Sequence, residues 1–137
     1  SVKAAAERLK TAGAKRTVPL NVSGPFHSPL LVPAVEELKK EIEKISVHPL
    51  EVPYVANVTA EKVENADRIC GLLSRGVSSP VRWQQSMEYM IADGVDTFVE
   101  IGPGRTLTGF LKKINKEVSV YHISTWDDME NIGCRLC

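Results

Sequence analysis

The segment Gly24-Pro25-Phe26-His27-Ser28 places a histidine at a junction where folding does not require one. A Gly-Pro turn precedes the histidine, and the pattern of an amphipathic helix follows it. A side chain at such a junction projects from the end of a packed scaffold, where acid–base groups are useful. A neutral imidazole takes a proton from a hydroxyl nucleophile and returns it to a leaving group. His27 is therefore the first candidate catalytic residue, and a turn histidine bonded to the backbone is the alternative.

The usual partners of a catalytic histidine are missing from the sequence around His27. No acidic residue lies within four positions on either side, and Glu36 is the nearest one. The chain contains no Gly-x-Ser-x-Gly elbow and no obvious activated cysteine. If His27 is catalytic, its orienting group must come from a distant segment, and the sequence then holds only half of an active site.

A second candidate site is the segment Val99-Glu100-Ile101-Gly102-Pro103-Gly104-Arg105-Thr106-Leu107, where a strand pattern, a glycine turn and a helix start follow one another. This order can form an anion cradle at a helix N-terminus. The dinucleotide fingerprint, however, needs a third glycine where Leu107 stands, and a P-loop needs Gly-Lys-Ser/Thr. The pattern favours a tight strand-to-helix turn.

The third candidate segment runs from Val77 to Trp83. Arg82 and Trp83 can contact a ligand there, but Trp83 lies on the apolar face of a predicted helix, which indicates core. His48 and His122 stand apart from each other and from the cysteines, so the spacing assembles no metal site. We expect neither a metal nor a cofactor.

Composition narrows the class of protein. The 137 residues suffice for one compact domain, and 17 basic residues balance 17 acidic ones. Zero net charge argues against nucleic-acid binding by bulk electrostatics, and no apolar run is long enough to span a bilayer. Three cysteines, an odd number, favour a reduced, cytoplasmic setting. Cys134 and Cys137 have redox or zinc-like spacing, but they form a lone pair that we interpret as a tail.

Hydrophobic periodicity predicts strands that alternate with helices, and hence an α/β fold with a largely parallel sheet. The predicted helices cover 2–12, 33–45, 66–74, a segment that begins at Ser79-Pro80 and ends near Asp93-Gly94, and a segment after Gly104 with Leu107, Phe110, Leu111 and Ile114 inward. The predicted strands cover 17–22, 52–58, 97–101 and 118–123.

Three motifs in this order resemble the carboxy-terminal half of the bacterial malonyl-CoA:acyl carrier protein transacylases, a family of acyltransferases. They are Asn21-Val22-Ser23-Gly24-Pro25-Phe26-His27-Ser28-Pro29-Leu30, Ser79-Pro80-Val81-Arg82-Trp83 with Glu88-Tyr89-Met90, and Glu100-Ile101-Gly102-Pro103-Gly104-Arg105-Thr106-Leu107-Thr108-Gly109. Each motif alone is modest, but three in order with comparable spacing are specific. The similarity extends to about Ile132 and leaves the cysteine-bearing tail unmatched.

The resemblance implies a function in fatty-acid synthesis. The family moves a malonyl group from coenzyme A to the phosphopantetheine thiol of acyl carrier protein through a serine ester, with coenzyme A as part of a substrate. His27 matches the general base of that reaction. The family orients this histidine through a main-chain carbonyl, which would account for the absent acid. That carbonyl corresponds to Gly76, where relatives commonly carry glutamine. Phe26 resembles the residue found in malonyl-selective members.

The resemblance also implies a fold, an α/β-hydrolase-like core with mainly parallel strands and an inserted ferredoxin-like subdomain. Residues 1–22 resemble the end of the insert, and residues 23–137 resemble the returning part of the core. The family's nucleophilic serine, its malonyl-binding arginine and one oxyanion glutamine precede residue 1. We therefore expect this chain to be inactive alone, and we expect its missing amino-terminal half to cover exposed sheet edges.

Two alternatives remain open. The first is a non-catalytic module that docks the acidic acyl carrier protein through Lys15, Arg16, Lys112 and Lys113. The second is an anion- or nucleotide-binding α/β module built on residues 102–106.

Overall fold

The structure, a computed structural model, describes residues 1–136, with side chains as far as residue 133. The helices are α1 (Val2–Thr11), α2 (Val32–Ile42), α3 (Ile69–Gly76), α4 (Trp83–Ala92), α5 (Thr106–Ile114) and α6 (Trp126–Leu136). The strands are β1 (Tyr54–Val55), β2 (Lys62–Val63), β3 (Thr97–Ile101) and β4 (Ser119–Ile123). Short 3-10 helices at Pro29–Leu31 and Ala66–Arg68 lead into α2 and α3.

The strands form two separate pairs. β3 and β4 are parallel, in register from Thr97 opposite Ser119 to Ile101 opposite Ile123, and α5 connects them. β1 and β2 are antiparallel. The predicted α/β class is confirmed, with its parallel part in the β3–β4 pair.

The buried residues lie in two places. One cluster joins the β1–β2 hairpin to α3 through Ala56, Val63, Ile69 and Leu72. The other lies where α4 meets α5, with Met87 and Leu111 almost fully buried. The His27 segment approaches the first cluster, and the 99–107 segment belongs to the second.

The predicted strand over 17–22 is wrong. The segment has no regular secondary structure and no strand partner among the described residues, and Val18, Leu20 and Val22 are 56%, 76% and 70% exposed. An alternating pattern becomes a strand only when a neighbouring strand accepts and donates its ladder hydrogen bonds. The alternating pattern alone does not supply that partner.

The predicted strand over 52–58 shortens to β1 because the chain turns directly after it. The Ala56 N–H donates to the Glu61 carbonyl at 3.1 Å, and Ala60 adopts a left-handed φ of 59°. This turn produces β2, which the sequence pattern did not indicate.

The predicted helix start at Ser79-Pro80 is also wrong, since α4 begins at Trp83. The Arg82 N–H donates to the Asn57 carbonyl at 2.9 Å, which ties the preceding loop to the β1 region before the helix starts.

The apolar face of α5 is narrower than predicted. Leu111 is buried, but Leu107 and Phe110 are 41% and 48% exposed. Helix α6 was not predicted, because the last element that the sequence pattern indicated was the strand over 118–123. No helix within residues 1–136 has the length and apolar character needed to cross a membrane.

Candidate active site

The backbone of His27 is strained. Its φ is 59°, in the left-handed region that residues other than glycine rarely adopt. A backbone held there costs about 1–3 kcal/mol of folding free energy. The His27 N–H donates to the Val77 carbonyl at 2.9 Å, which holds the residue in this conformation. A strained residue at an exposed position is an observation from which a functional hypothesis can start.

The ring of His27 is held by the residue next to Val77. Its Nδ1 lies 2.8 Å from the Gly76 carbonyl oxygen. A carbonyl oxygen only accepts, so Nδ1 must carry the hydrogen. In the neutral ring this leaves Nε2 with its lone pair, and the side chain is exposed. The arrangement can therefore take up a proton at Nε2.

The end of α3 supplies both of these acceptors. The last carbonyl groups of a helix have no partner within the helix, so those of Gly76 and Val77 are free to receive His27. On the other side, the Ser28 hydroxyl donates to the Pro25 carbonyl at 2.7 Å and closes the turn that presents the histidine. Residues 49 positions apart thus form one site.

A largely apolar pocket of about 310 Å³ adjoins the imidazole. Phe26 and Tyr54 contribute rings to its lining, and Asn57 and Ser79 contribute polar groups. Phe26 remains 62% exposed, with its ring against Gly24. Burial raises the pKa of Tyr54, so its hydroxyl stays protonated at neutral pH. The pocket can receive a small acyl group beside Nε2.

Gly76 also lines this pocket, and its backbone and surroundings do not require a glycine. Its φ is not left-handed, and an added Cβ would meet only the Val58 Cγ2, at 4.0 Å. The contact with His27 uses the main-chain carbonyl alone. The main-chain bond to His27 therefore makes no demand on the side chain at this position.

The second candidate segment folds as a strand-to-helix turn that binds its own carboxylate. Glu100 accepts the N–H groups of Leu107 at 3.1 Å and Thr108 at 2.8 Å. The adjacent Thr108 side chain and these N–H groups hold the pKa of Glu100 below its ordinary value, with a smaller contribution from His122. The N-terminus of α5 thus already carries an anion, which weighs against a nucleotide at residues 102–106.

His122 completes this turn. It lies opposite Glu100 in the β3–β4 register, and its Nε2 is 2.9 Å from the Gly102 carbonyl oxygen. The Nδ1 of this half-buried ring is buried and has no partner within the described residues. Sequence reasoning left His122 isolated. The missed signal was that the two predicted strands on either side of the 106–114 helix pair in parallel, which brings His122 opposite Glu100.

The third candidate segment consists of a loop that ends at Arg82 and the first residue of α4, Trp83. Arg82 is exposed, whereas Trp83 is half-buried, as its place on the apolar face of the predicted helix indicated. Asn57 was missed by sequence reasoning, although it lines both the His27 pocket and a cavity beside Trp83. Its position in the turn after β1 offered no signal of this.

Two further candidates are a metal site and a docking surface. In the part of the chain that the structure describes, no group of three or more His, Cys, Asp or Glu residues could hold a metal ion. The pair Cys134 and Cys137 lies outside the described side chains. Four cationic docking candidates are exposed, namely Lys15, Arg16, Lys112 and Lys113.

The fold and the site together define an α/β chain that presents an exposed histidine, oriented by main-chain carbonyls, beside an apolar pocket. Comparison with known proteins then gives the family. The chain is 41% identical over 129 residues to the malonyl CoA-acyl carrier protein transacylase of Bacillus subtilis, and the match covers 94% of this chain. It is 40% identical over 124 residues to the transacylase of the same name from Staphylococcus aureus. The resemblance stated from the three motifs is therefore confirmed.

Solved structures agree. The malonyl CoA-acyl carrier protein transacylase of Clostridium perfringens superposes with a TM-score of 0.87 at 41% identity, over 98% of this chain and 42% of that chain. A malonyl-transacylase in complex with a type II PKS acyl-carrier protein superposes with a TM-score of 0.86 at 36% identity, over 95% of this chain and 42% of that one. This chain spans about 41% of the length of the curated relatives. No protein-family model matches it.

Proposed function

We propose that the enzyme to which this sequence contributes transfers a malonyl group from coenzyme A to the phosphopantetheine thiol of acyl carrier protein. The observation that carries the proposal is the pair of hydrogen bonds that hold His27, which leave Nε2 free on an exposed ring. Relatives that carry the transacylase name match more than nine-tenths of the chain.

His27 acts as the general base and acid of a two-stage transfer. Nε2 takes the proton of a serine hydroxyl, the serine oxygen bonds to the malonyl carbonyl carbon, and the carbon–sulfur bond to coenzyme A breaks. The imidazolium returns the proton to the departing thiolate. In the second stage Nε2 takes the proton of the carrier thiol, and sulfur bonds to the malonyl carbonyl carbon. The carbon–oxygen bond to serine breaks, and the imidazolium gives its proton to the serine oxygen. Throughout, Gly76 keeps the Nδ1 hydrogen in place.

Phe26 sets a preference for malonyl over larger acyl groups. It precedes the base and lines the pocket next to it, so its ring takes up space that a methyl-substituted malonyl group would need. One methyl group in an apolar pocket is worth about 1–3 kcal/mol, which makes the preference real but incomplete.

The finer fold assignment belongs to the same proposal. Residues 1–22 end a ferredoxin-like insert, and residues 23–137 return to an α/β-hydrolase-like core with mainly parallel strands. No cofactor takes part, because coenzyme A enters as part of a substrate. Three expectations stay predictions: the cytoplasmic setting indicated by the cysteines, the absence of a nucleic-acid partner indicated by the zero net charge, and the absence of a membrane partner indicated by the lack of a long apolar run.

Acyl carrier protein is the proposed macromolecular partner, supported by the neighbour solved in complex with such a protein. The exposed cations Lys15, Arg16, Lys112 and Lys113 are the proposed contacts for its acidic surface. Charge reversal at these positions should weaken binding and flatten its dependence on salt. Unchanged binding with the same salt dependence would remove these contacts from the proposal.

The test of function compares two proteins. Labelled malonyl-CoA and acyl carrier protein are incubated with the 137-residue chain, and separately with a chimera in which this chain replaces the matching part of the Bacillus subtilis transacylase. We expect transfer by the chimera and none by the chain alone, since the nucleophilic serine lies outside this sequence. A folded chimera that transfers nothing would reject the proposed function, and efficient transfer by the chain alone would reject the assigned mechanism.

A further inference from the structure

Tyr54 places a phenol in the pocket beside His27. Its side chain lines that pocket together with those of Phe26 and His27. Tyr54 stands in β1 opposite the buried Val63, and it packs against the hydrophobic cluster that joins the β1–β2 hairpin to α3. A tyrosine has only two rotatable side-chain bonds, so a ring anchored in this way holds its hydroxyl in a fixed place.

The hydroxyl of Tyr54 is partly withdrawn from water. Burial alone raises the pKa of this phenol, and no hydrogen bond or charge within the described residues contributes to the shift. A polar group in an apolar surrounding is unfavourable unless it forms a hydrogen bond. The packing of the ring does not use the oxygen, since a phenylalanine would fill the same space against the cluster. The hydroxyl is therefore available to a ligand in the pocket.

The phenol of Tyr54 is suited to bind an anion. Because its pKa is raised above the ordinary 10.0, it carries its proton at neutral pH and can donate a hydrogen bond. A hydrogen bond to a carboxylate is shorter and about twice as strong as one between neutral groups. The pocket is otherwise largely apolar, and Asn57 and Ser79 add only neutral polar groups to its lining. An acyl group that carries a carboxylate therefore gains more from this donor than one that carries a methyl group.

The reaction fixes how a malonyl group lies in the pocket. Its carbonyl carbon must meet the serine oxygen next to Nε2 of His27, and its free carboxylate lies one methylene group further along. Phe26 is 62% exposed and forms the outer side of the pocket, whereas Tyr54 belongs to the core side. A carboxylate that extends from His27 into the pocket therefore approaches Tyr54.

We propose that the Tyr54 hydroxyl donates a hydrogen bond to the free carboxylate of the malonyl group and thereby favours malonyl over acyl groups without a carboxylate. This assignment rests on the proposed function, which supplies the substrate. A carboxylate accepts about four hydrogen bonds, so the contact adds to the arginine expected before residue 1 and does not replace it. Phe26 and Tyr54 then respond to different features of the acyl group, Phe26 to its size and Tyr54 to its charge.

The test measures binding to the chimera with the Bacillus subtilis transacylase, with the nucleophilic serine replaced by alanine so that no acyl group is transferred. Calorimetry gives the Kd of malonyl-CoA and of acetyl-CoA, which lacks the free carboxylate. Tyr54→Phe keeps the ring and removes the hydroxyl. We expect this variant to weaken malonyl-CoA binding by at least about tenfold and to change acetyl-CoA binding by less than about twofold.

Tyr121→Phe is the matched control. Tyr121 in β4 is half-buried like Tyr54, but it does not belong to the lining of the His27 pocket. We expect this variant to leave the binding of both thioesters unchanged. Equal weakening of both thioesters by Tyr54→Phe would mean that the residue only shapes the pocket, and unchanged malonyl-CoA binding would mean that the hydroxyl does not reach the carboxylate. Either result overturns the proposal.

Transfer by the chimera that keeps its serine separates this inference from the proposed function. At limiting thioester, Tyr54→Phe should lower malonyl transfer more than acetyl transfer. A chimera that binds malonyl-CoA through Tyr54 but transfers no malonyl group upholds the contact and counts against the function. A chimera that transfers malonyl equally fast with and without the hydroxyl upholds the function and overturns the contact.

Discussion

The rings of His27 and His122 each form a hydrogen bond with the main-chain carbonyl of a glycine, yet the environments of the two rings are opposite. His27 is exposed, has a left-handed backbone, and uses Nδ1 to reach the Gly76 carbonyl. His122 is half-buried in a regular strand and uses Nε2 to reach the Gly102 carbonyl. One ring therefore keeps Nε2 free at the surface, while the other uses Nε2 inside the fold.

The difference separates a histidine that can do chemistry from one that holds a turn. At His27 the hydrogen bonds orient the ring and leave a proton acceptor beside a pocket. At His122 the bond closes the β3–α5 turn, where Glu100 already satisfies the helix N-terminus. Both residues are histidines, and their roles differ because Nε2 is free in His27 and bonded in His122.

The largest effect should follow from His27→Gln in the chimeric enzyme. Loss of the general base should lower malonyl transfer by about 10²–10⁴-fold, measured with labelled malonyl-CoA. The unfolding temperature should change little, because the side chain is exposed. His122→Gln is the comparison variant and should lower the unfolding temperature more than it lowers transfer. The reverse pattern would exchange the roles assigned to the two histidines.

Glu100→Gln should destabilise the chain in a pH-dependent manner. The folded state holds the pKa of Glu100 below its usual 4.5, so its stabilising contribution is present above that pH and is lost as the pH falls further. Thermal unfolding should show a gap between Glu100→Gln and the unchanged chain at neutral pH that closes on acidification below 4.5.

Asp128→Asn is the matched control for that titration. The Ser124 N–H, with the Thr125 and Ser124 hydroxyls, lowers the pKa of Asp128 from 3.8 to about 2. Its contribution should therefore persist above 3.8 and disappear as the pH falls towards about 2. A gap for Glu100→Gln that does not depend on pH would show that the carboxylate charge does not hold the turn.

The tautomers of the two rings should be opposite. Nitrogen-15 spectra of the neutral rings should give Nδ1–H for His27 and Nε2–H for His122, because each bonded carbonyl needs a hydrogen on the nitrogen that faces it. The same tautomer at both positions would contradict the distinction drawn between them.

The smallest effect should come from Gly76→Ala, with Gly71→Ala as its control in the same helix. Each should stabilise α3 by up to about 1 kcal/mol, because alanine is the better helix former and an added Cβ meets no crowding at either position. Denaturant unfolding measures the gain, and the Nδ1–H signal of His27 should survive in both variants. Loss of that signal in Gly76→Ala alone would make glycine necessary to the His27 contact.

Local patterns predicted the elements that carry their own signals. Strand β3 has the predicted bounds, and β4 begins one residue later than predicted. Helix α4 ends before Gly94, whose φ of 95° suits a glycine past a helix end. The predicted strand over 17–22 failed because pairing depends on a neighbouring strand. The start of α4 moved because the Arg82 N–H donates to the Asn57 carbonyl and holds the loop before the helix.

The sequence by itself determined the α/β class, the position of His27 at a turn, and the ordered motifs of the transacylases. These depend on periodicity, turn chemistry and residue order, which are local properties. Only the tertiary structure decided which nitrogen of each histidine is free, that Glu100 occupies the N-terminus of α5, and that β3 has one strand partner, β4, within residues 1–136. Those features arise from contacts between residues distant along the chain, and no local pattern encodes which distant carbonyl or carboxylate a side chain will meet.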